Sequence, residues 1–212
     1  MIKPFAFACA SLTLLLVAGC AKVRYPNYYT LVLAPPPLSH QGNEGRILGS
    51  LAVRDFETPA YLRQGRIVYR KSPTEVGFYA YHIWVTDPAT IITTAIIGTL
   101  RSSGLFSQVD SDASHTKPEF LLRGQLMRLD EIDYGGSVRV EVKLSAQLIN
   151  LRTRSTIWSE QEAETARVDK ATVNSVVIEM SDALQKCIDR LLADMQGQLG
   201  NAVQRSSDSE HP

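Results

Sequence analysis

The residues with chemical potential in this chain are few and widely spaced. Cysteine is the most informative. Cys20 follows Val17-Ala18-Gly19, and small residues before a cysteine are what lipoprotein signal peptidase accepts. Its thiol then takes a diacylglycerol. The acyl chains, palmitate among them, anchor the chain because each buried CH₂ contributes about 0.8 kcal/mol. Upstream, Lys3 and the apolar run from Phe5 to Val17 have the form of a signal segment, too short to span a membrane comfortably. The competing reading is an ordinary secretory signal with an incidental cysteine. The length of the apolar run and the position of Cys20 agree with each other and favour lipidation. Asp after the cysteine would match the inner-membrane retention signal of enteric bacteria. Ala21 stands there and favours the outer membrane, with the domain on its periplasmic face. Cys9 leaves with the signal, so Cys187 is the remaining thiol. No internal disulfide is expected, although the compartment would permit one. Cys187 falls on the apolar side of a helical repeat and reads as a plain core residue.

The other candidates are weaker. None of His40, His82, His115 and His211 pairs with another His, a Cys or a carboxylate at metal-ligand spacing, so no metal is expected. His82 sits between Tyr81 and Trp84 and reads as a hydrogen-bonded structural residue ahead of a site. There is no Gly-x-Ser-x-Gly elbow and no phosphate-binding Gly-x-x-x-x-Gly-Lys-Ser/Thr loop, which leaves serine hydrolysis and ATP hydrolysis without support. No catalytic residue and no cofactor is expected. Glu160, Glu162 and Glu164 alternate along one strand face. They could hold a cation or a basic partner. A solvated face, or a charged edge that blocks strand addition, is favoured, because like charges two residues apart demand water. Arg123, Arg128 and Arg139 are placed to neutralise acids across a hairpin. Tyr28-Tyr29 and the group Tyr79, Tyr81 and Trp84 could face a partner or lipid, but aromatics in strands are more often core. Charge is balanced, with 22 basic and 22 acidic residues, and offers nothing to nucleic acid.

These residues need elements to position them. Tyr28–Leu33 and Ile47–Phe56 read as strands, separated by the Pro35-Pro36-Pro37 loop. Ile67–Arg70 and Val76–Tyr81 read as a hairpin about Ser72-Pro73-Thr74. Asp87-Pro88 then opens a helix, since Asp87 can cap free N–H groups and Pro88 has none to lose. Ile91, Ile92, Ala95, Ile96 and Leu100 give it one apolar stripe, and Gly104 would end it in a left-handed cap. A strand from Glu119 to Tyr134 turns at Gly135-Gly136, a two-residue hairpin loop in which both glycines accept positive φ. Val138, Val140, Val142, Leu144, Ala146 and Leu148 return, alternating with polar residues, as in an antiparallel sheet with one wet face. Ile157 to Thr165 follows as a strand. Asp169 would cap a last helix, whose repeat runs from Val173 through Cys187 to Met195 and stops at Gly197 and Gly200. The order of elements predicts an α+β domain: an antiparallel sheet with two main helices packed on one face. The chain divides into a signal (1–19), a lipidated tether (20–27), one domain (28–199) and a disordered tail (200–212). The tether spans at most about 25 Å.

Tyr28-Tyr29-Thr30-Leu31, Tyr61-Leu62, Gln64 with Ile67-Val68-Tyr69-Arg70, Trp84 with Pro88, and Leu100-Arg101-Ser102-Ser103-Gly104-Leu105-Phe106 with Val109 together resemble the ABC-type transport auxiliary lipoprotein family. The resemblance covers roughly Tyr28 to Leu192. It implies an N-terminal-TolB-like fold and a role beside MCE-domain (mammalian cell entry) lipid transport systems, with ATP consumed by another subunit. The function expected is that of an outer-membrane-anchored periplasmic lipoprotein with a non-catalytic docking or assembly role between the two membranes. The alternative is a binding module of another envelope assembly, such as lipopolysaccharide export or secretion machinery. The expected partners are the membrane and an MCE-domain protein, and a homo-oligomer is left open. Partner contacts are expected at the hairpin tip, Asp133, Tyr134, Gly135, Gly136 and Ser137, on the premise that this tip points away from the tether.

Overall fold

The computed structural model describes residues 23–35, 48–114 and 117–208. Eight strands form one sheet: β1 (Asn27–Tyr29), β2 (Leu48–Val53), β3 (Arg66–Arg70), β4 (Val76–Trp84), β5 (Phe106–Ser111), β6 (Phe120–Asp133), β7 (Val138–Asn150) and β8 (Ser155–Arg167). Two helices accompany them, α1 (Pro88–Ser103) and α2 (Val173–Asp208). β6 is the spine. β7 pairs with it antiparallel from Phe120↔Asn150 to Asp133↔Val138. Its other edge is shared: β2 takes Phe120–Leu122 and β3 takes Asp130–Ile132. Between those two partners the chain from Arg54 to Gln64 fills the gap, with a bridge from Glu57 to Gln125.

The α+β class holds, and the sheet is mixed. β3–β4, β6–β7 and β7–β8 are antiparallel, as the hairpin signals predict. The pairs β1–β4, β2–β5, β2–β6 and β3–β6 are parallel. Parallel pairs need crossover connections rather than tight turns. Here α1 carries the chain across one face, from β4 to the outer side of β2. Alternation within a strand reports burial, not the direction of its neighbour.

Local signals place α1 as expected. Asp87 Oδ1 accepts from Ala89 N at 2.8 Å, Pro88 opens the helix and Gly104 closes it at φ 65°. Ile92, Ile96 and Leu100 are buried. Thr93 is buried with them. Its hydroxyl donates to Ala89 O at 2.8 Å and accepts from Phe56 N at 3.0 Å, tying α1 to the chain beyond β2. In α2 the predicted stripe from Val176 to Met195 is buried, including Met180, Leu184 and Cys187. Both helices share one core with Val140, Val142, Leu144, Ala146 and Leu148 of β7.

Strand ends differ from the sequence reading by a few residues, as where β4 runs on to Trp84 and β2 stops at Val53, and the ends of β1 and α2 differ for identifiable reasons. β1 stops at Tyr29 because β4 ends at Trp84. The N–H groups of Val32 and Ala34 turn instead to Ser181 Oγ (3.1 Å) and Gln185 Oε1 (2.9 Å) of α2. Thr172, not Asp169, caps α2, its hydroxyl accepting from Ser175 N at 3.2 Å. Gly197 and Gly200 do not end α2, which runs to Asp208. A glycine inside a helix costs about 1 kcal/mol, too little to stop one already packed over several turns.

At the β6–β7 hairpin the reading is met closely. Asp133 pairs with Val138, which sets Tyr134 opposite Ser137 around two glycines at φ 81° and 85°. Gly124 has a different role. The Phe56 ring lies over it, so that a Cβ there would sit 2.3 Å from Phe56 Cε1 and 2.7 Å from Ser145 O. Gly124→Ala is therefore expected to cost about 1–3 kcal/mol through overpacking, read as a lowered urea midpoint with an unchanged slope.

Candidate functional surfaces

Strand register fixes the two ends of the domain. β1 runs parallel to β4, with Asn27 opposite His82 and Tyr29 opposite Trp84. The chain therefore enters β1 from the Val76 end of β4. Val76 is paired with Arg70, and Arg70 with Ile132, next to the β6–β7 tip. Arg24 confirms the direction, with its guanidinium 5.9 Å from the Tyr81 ring centroid. This corrects the premise behind the contacts expected at Asp133, Tyr134, Gly135, Gly136 and Ser137. The tip lies at the same end of the strands as the tether, because β6 and β4 are antiparallel to each other while β1 follows β4. The opposite end of the long hairpins is the β7–β8 turn, Leu151 to Arg154. There Asn150 Oδ1 accepts from the N–H groups of Arg152 and Thr153, both at 3.0 Å, and Arg154 holds φ 57°. Cys20 lies outside the described residues, as do His40, His115 and His211.

The most unusual electrostatics lie on β6, at residues the sequence reading passed over. Asp130 is fully buried and Glu131 is 5% exposed. As neighbours in a strand they point to opposite faces. Asp130 Oδ2 accepts from Arg70 Nε, and Arg128 Nε lies 3.7 Å away; Arg128 Nη1 continues to Glu141 Oε2 at 2.6 Å. Burial pushes the Asp130 carboxyl up, and the two arginines only partly oppose it. On the other face Glu131 Oε2 accepts from Tyr79 Oη at 2.8 Å. Burial raises Glu131 as well, the Tyr79 hydrogen bond opposes that, and Asp133 adds to it. Tyr79 in turn is held well above its ordinary value by burial and by Glu131, so its proton stays to make the bond. Its ring packs on Tyr69 (5.0 Å) and against His82 (5.3 Å), and His82 Nδ1 meets Tyr29 Oη at 2.9 Å. His82 is thus a structural link that joins β1 to β4 and the acid on β6. The available signal was Leu129-Asp130-Glu131-Ile132: adjacent acids between apolar residues in a strand long enough to be central.

Two of the three alternating glutamates, Glu162 and Glu164, are clamped rather than simply solvated, while Glu160 accepts from the N–H of Gln161 at 3.0 Å. Arg190 of α2 reaches Glu162 at 2.7 Å, Glu164 at 3.0 Å and the carbonyl of Ala163 at 2.9 Å, and Lys186 reaches Glu164 at 3.4 Å. Burial pushes Glu164 up, but Arg190 and Lys186 hold it below the usual carboxylate range. β8 pairs with β7 alone, and this cross-bracing covers its free edge. Cys187 lies beneath it, with no exposed surface, and burial pushes its thiol up to about 11. Of the arginines expected to neutralise acids, Arg128 does so; Arg123 instead holds Gln147 (3.0 Å). Among the described residues no three His, Cys, Asp or Glu gather as a metal site requires, and no helix is long and apolar enough to cross a membrane.

Leu31 to Pro35 runs as an extended strap between the helices, leaving a groove on each side. One, of about 590 Å³, lies against Thr90, Ile91, Thr94 and Ala95 of α1. The other, of about 500 Å³, lies against Asn174, Val177 and Ile178 of α2. Tyr28, Val32 and Ile178 are 64%, 70% and 52% exposed beside them. Trp84 is core, so the aromatic group divides: Tyr28 and Tyr81 face outward, while Tyr29, Tyr79 and Trp84 pack inward.

The architecture is that of an α+β protein with exposed grooves and end surfaces. The family described as the ABC-type transport auxiliary lipoprotein component matches residues 29–194, and the chain belongs to it. That description is of an auxiliary part of a transport system rather than of a catalyst. Two solved structures share the fold at 15% identity. A Xanthomonas campestris protein of the family DUF330 has a TM-score of 0.69, covering 86% of this chain and 99% of its own. An uncharacterised protein has a TM-score of 0.62, covering 81% and 99%. A Chlamydia trachomatis protein at 11% identity has a TM-score of 0.52, covering 72% and 98%. No curated protein matches the chain.

Two outcomes follow from the buried groups. Raised above its unfolded value, Glu131 favours the fold while protonated and loses that contribution as pH rises through its folded pKa. Glu131→Gln, which can still accept from Tyr79, is expected to be more stable than the parent at pH 7.5. The advantage should vanish below the ordinary glutamate range, as read by urea midpoints across pH. Cys187 should react slowly with iodoacetamide at pH 8 in the folded protein and quickly in denaturant, because a thiol raised to about 11 carries almost no thiolate; Cys187→Ala is expected to cost about 1 kcal/mol.

Proposed function

We propose that this protein is a lipoprotein of the outer membrane, held on the periplasmic face through acylated Cys20. In this reading it serves an MCE-type ABC lipid transport system as a docking or assembly component without catalysis. The observation that carries the reading is the family match over residues 29–194, directly preceded by a signal-like segment that ends in Val17-Ala18-Gly19-Cys20. Ala21 after the cysteine supports the outer membrane over the inner.

The tether sets the orientation. Tether and β6–β7 tip share one end, so a partner arriving from the periplasm meets the other end first. β7 and β8 each have 13 residues and reach about 43 Å from the tip end at 3.3 Å per residue. They present the Leu151–Arg154 turn to such a partner, with Leu151 38% exposed and the arginines Arg152 and Arg154 beside it.

Cys20→Ser is expected to leave an unprocessed precursor or a chain lost from the outer-membrane fraction; normal processing and fractionation would overturn the anchor. The wild-type chain should co-purify with an MCE-domain subunit. Reversing charge at Arg152 and Arg154 together should weaken that co-purification several-fold at an unchanged melting temperature, whereas the same reversal at Asp133 should not.

A further inference from the structure

The sheet edge formed by β1, which continues directly from the tether, carries exposed aromatic surface. Val23 is 68% exposed, Tyr25 81%, Tyr28 64% and Tyr81 42%. Soluble folds expose single apolar side chains routinely, but these four are gathered along one edge, where β1 enters beside β4. A cation is set among these rings: Arg24, whose guanidinium is 5.9 Å from the Tyr81 centroid. An amphipathic ring with a basic neighbour is what a bilayer interface selects, because the ring body enters the headgroup layer while hydroxyl and cation stay wet.

Chain length says what covers this surface. Only Ala21 and Lys22 separate Cys20 from Val23, a reach of about 11 Å when fully extended. Register then fixes the direction, since Arg24 rests on Tyr81 and Asn27 pairs with His82. A lipid on Cys20 that lies in a bilayer therefore holds Val23, where this edge begins, close to its surface. We infer that Val23, Tyr25, Tyr28 and Tyr81, with Arg24, form a second membrane contact. They seat the domain on the bilayer in one orientation, so that it does not swing freely on its anchor. The inference rests on the acylation of Cys20 proposed above.

The test uses the full chain purified from membranes and returned to phosphatidylethanolamine–phosphatidylglycerol vesicles. Single variants Tyr28→Cys, Tyr81→Cys and Leu151→Cys carry a nitroxide; Cys20 is blocked by its lipid and Cys187 is buried. Leu151 is 38% exposed and lies in the β7–β8 turn, at the opposite end of the long hairpins from the tether. Bilayer contact should lower access of a water-soluble nickel relaxer several-fold at positions 28 and 81 on going from detergent to vesicles, and raise access of oxygen, with position 151 unchanged. Intact mass reports acylation in the same samples. If Cys20 is acylated and positions 28 and 81 stay as open as 151, the second contact is wrong and the anchor stands. If they close with spin–spin broadening between copies, the surface is a homo-oligomer interface and the inference is overturned. If Cys20 carries no lipid, the anchor fails and the inference fails with it. Tyr25→Ser with Tyr28→Ser should abolish the change at 81 without altering the far-ultraviolet spectrum.

Discussion

β6 presents backbone donors and acceptors along both edges for 14 residues, and in a buried strand nearly all of them must find partners. One antiparallel neighbour can satisfy one edge, and β7 does so from end to end. The other edge is divided between β2 and β3, which come from distant parts of the chain. The Arg54–Gln64 segment closes the gap between them. Phe56 lies on Gly124, Tyr61 Oη reaches Met127 O at 3.4 Å, and the Phe56 N–H is handed to Thr93 of α1. Pairing of one strand thereby decides where both flanking units and the first helix sit.

Where β3 joins β6, the sheet accepts two acids that a core would ordinarily refuse. Removing a carboxylate from water costs several kcal/mol unless it is paired and hydrogen-bonded. Asp130 is compensated by Arg70 and Arg128, and Glu131 by Tyr79. Replacing them by apolar residues would often be neutral or better for stability, but their partners are not interchangeable. Arg70 is on β3 and Tyr79 on β4, so the two acids specify which hairpin lies against this stretch of β6. Tyr79 passes the constraint through His82 and Tyr29 to β1. The strand nearest the anchor is thus held by a polar and aromatic string in addition to its ladder to β4 and the packing of Tyr29 on the core.

A domain built this way has two unlike ends. One gathers the chain entry and the β6–β7 tip. The other presents the β7–β8 turn about 43 Å away along the strands. α2 stiffens the span between them: Arg190 and Lys186 brace β8, and Trp158 Nε1 donates to Asp194 Oδ1 at 2.7 Å. In the proposed reading, a component that bridges from a membrane toward a partner would use such a rigid separation of ends.

Much was legible from sequence because it is locally encoded. The capping of α1 by Asp87-Pro88 and Gly104, the turn at Gly135-Gly136, the alternation of β7, the stripe of α2 and the inert burial of Cys187 each depend on residues within a few positions of one another. The family resemblance was readable for the same reason, since ordered short motifs survive as text. What the tertiary structure decided involves partners far apart in the chain. Parallel pairing of β2 and β3 to β6 leaves no turn signature. The hydrogen-bond donors to Asp130 and Glu131, Arg70 and Tyr79, lie 60 and 52 residues away. Arg190 reaches Glu162 across 28 residues, so the acidic alternation of β8 looked solvated. The direction of the β6–β7 tip relative to the tether depends on the order and sense of four strands, β1-β4-β3-β6. Local propensity shapes each of those strands, but only their mutual hydrogen bonding sets which ends coincide.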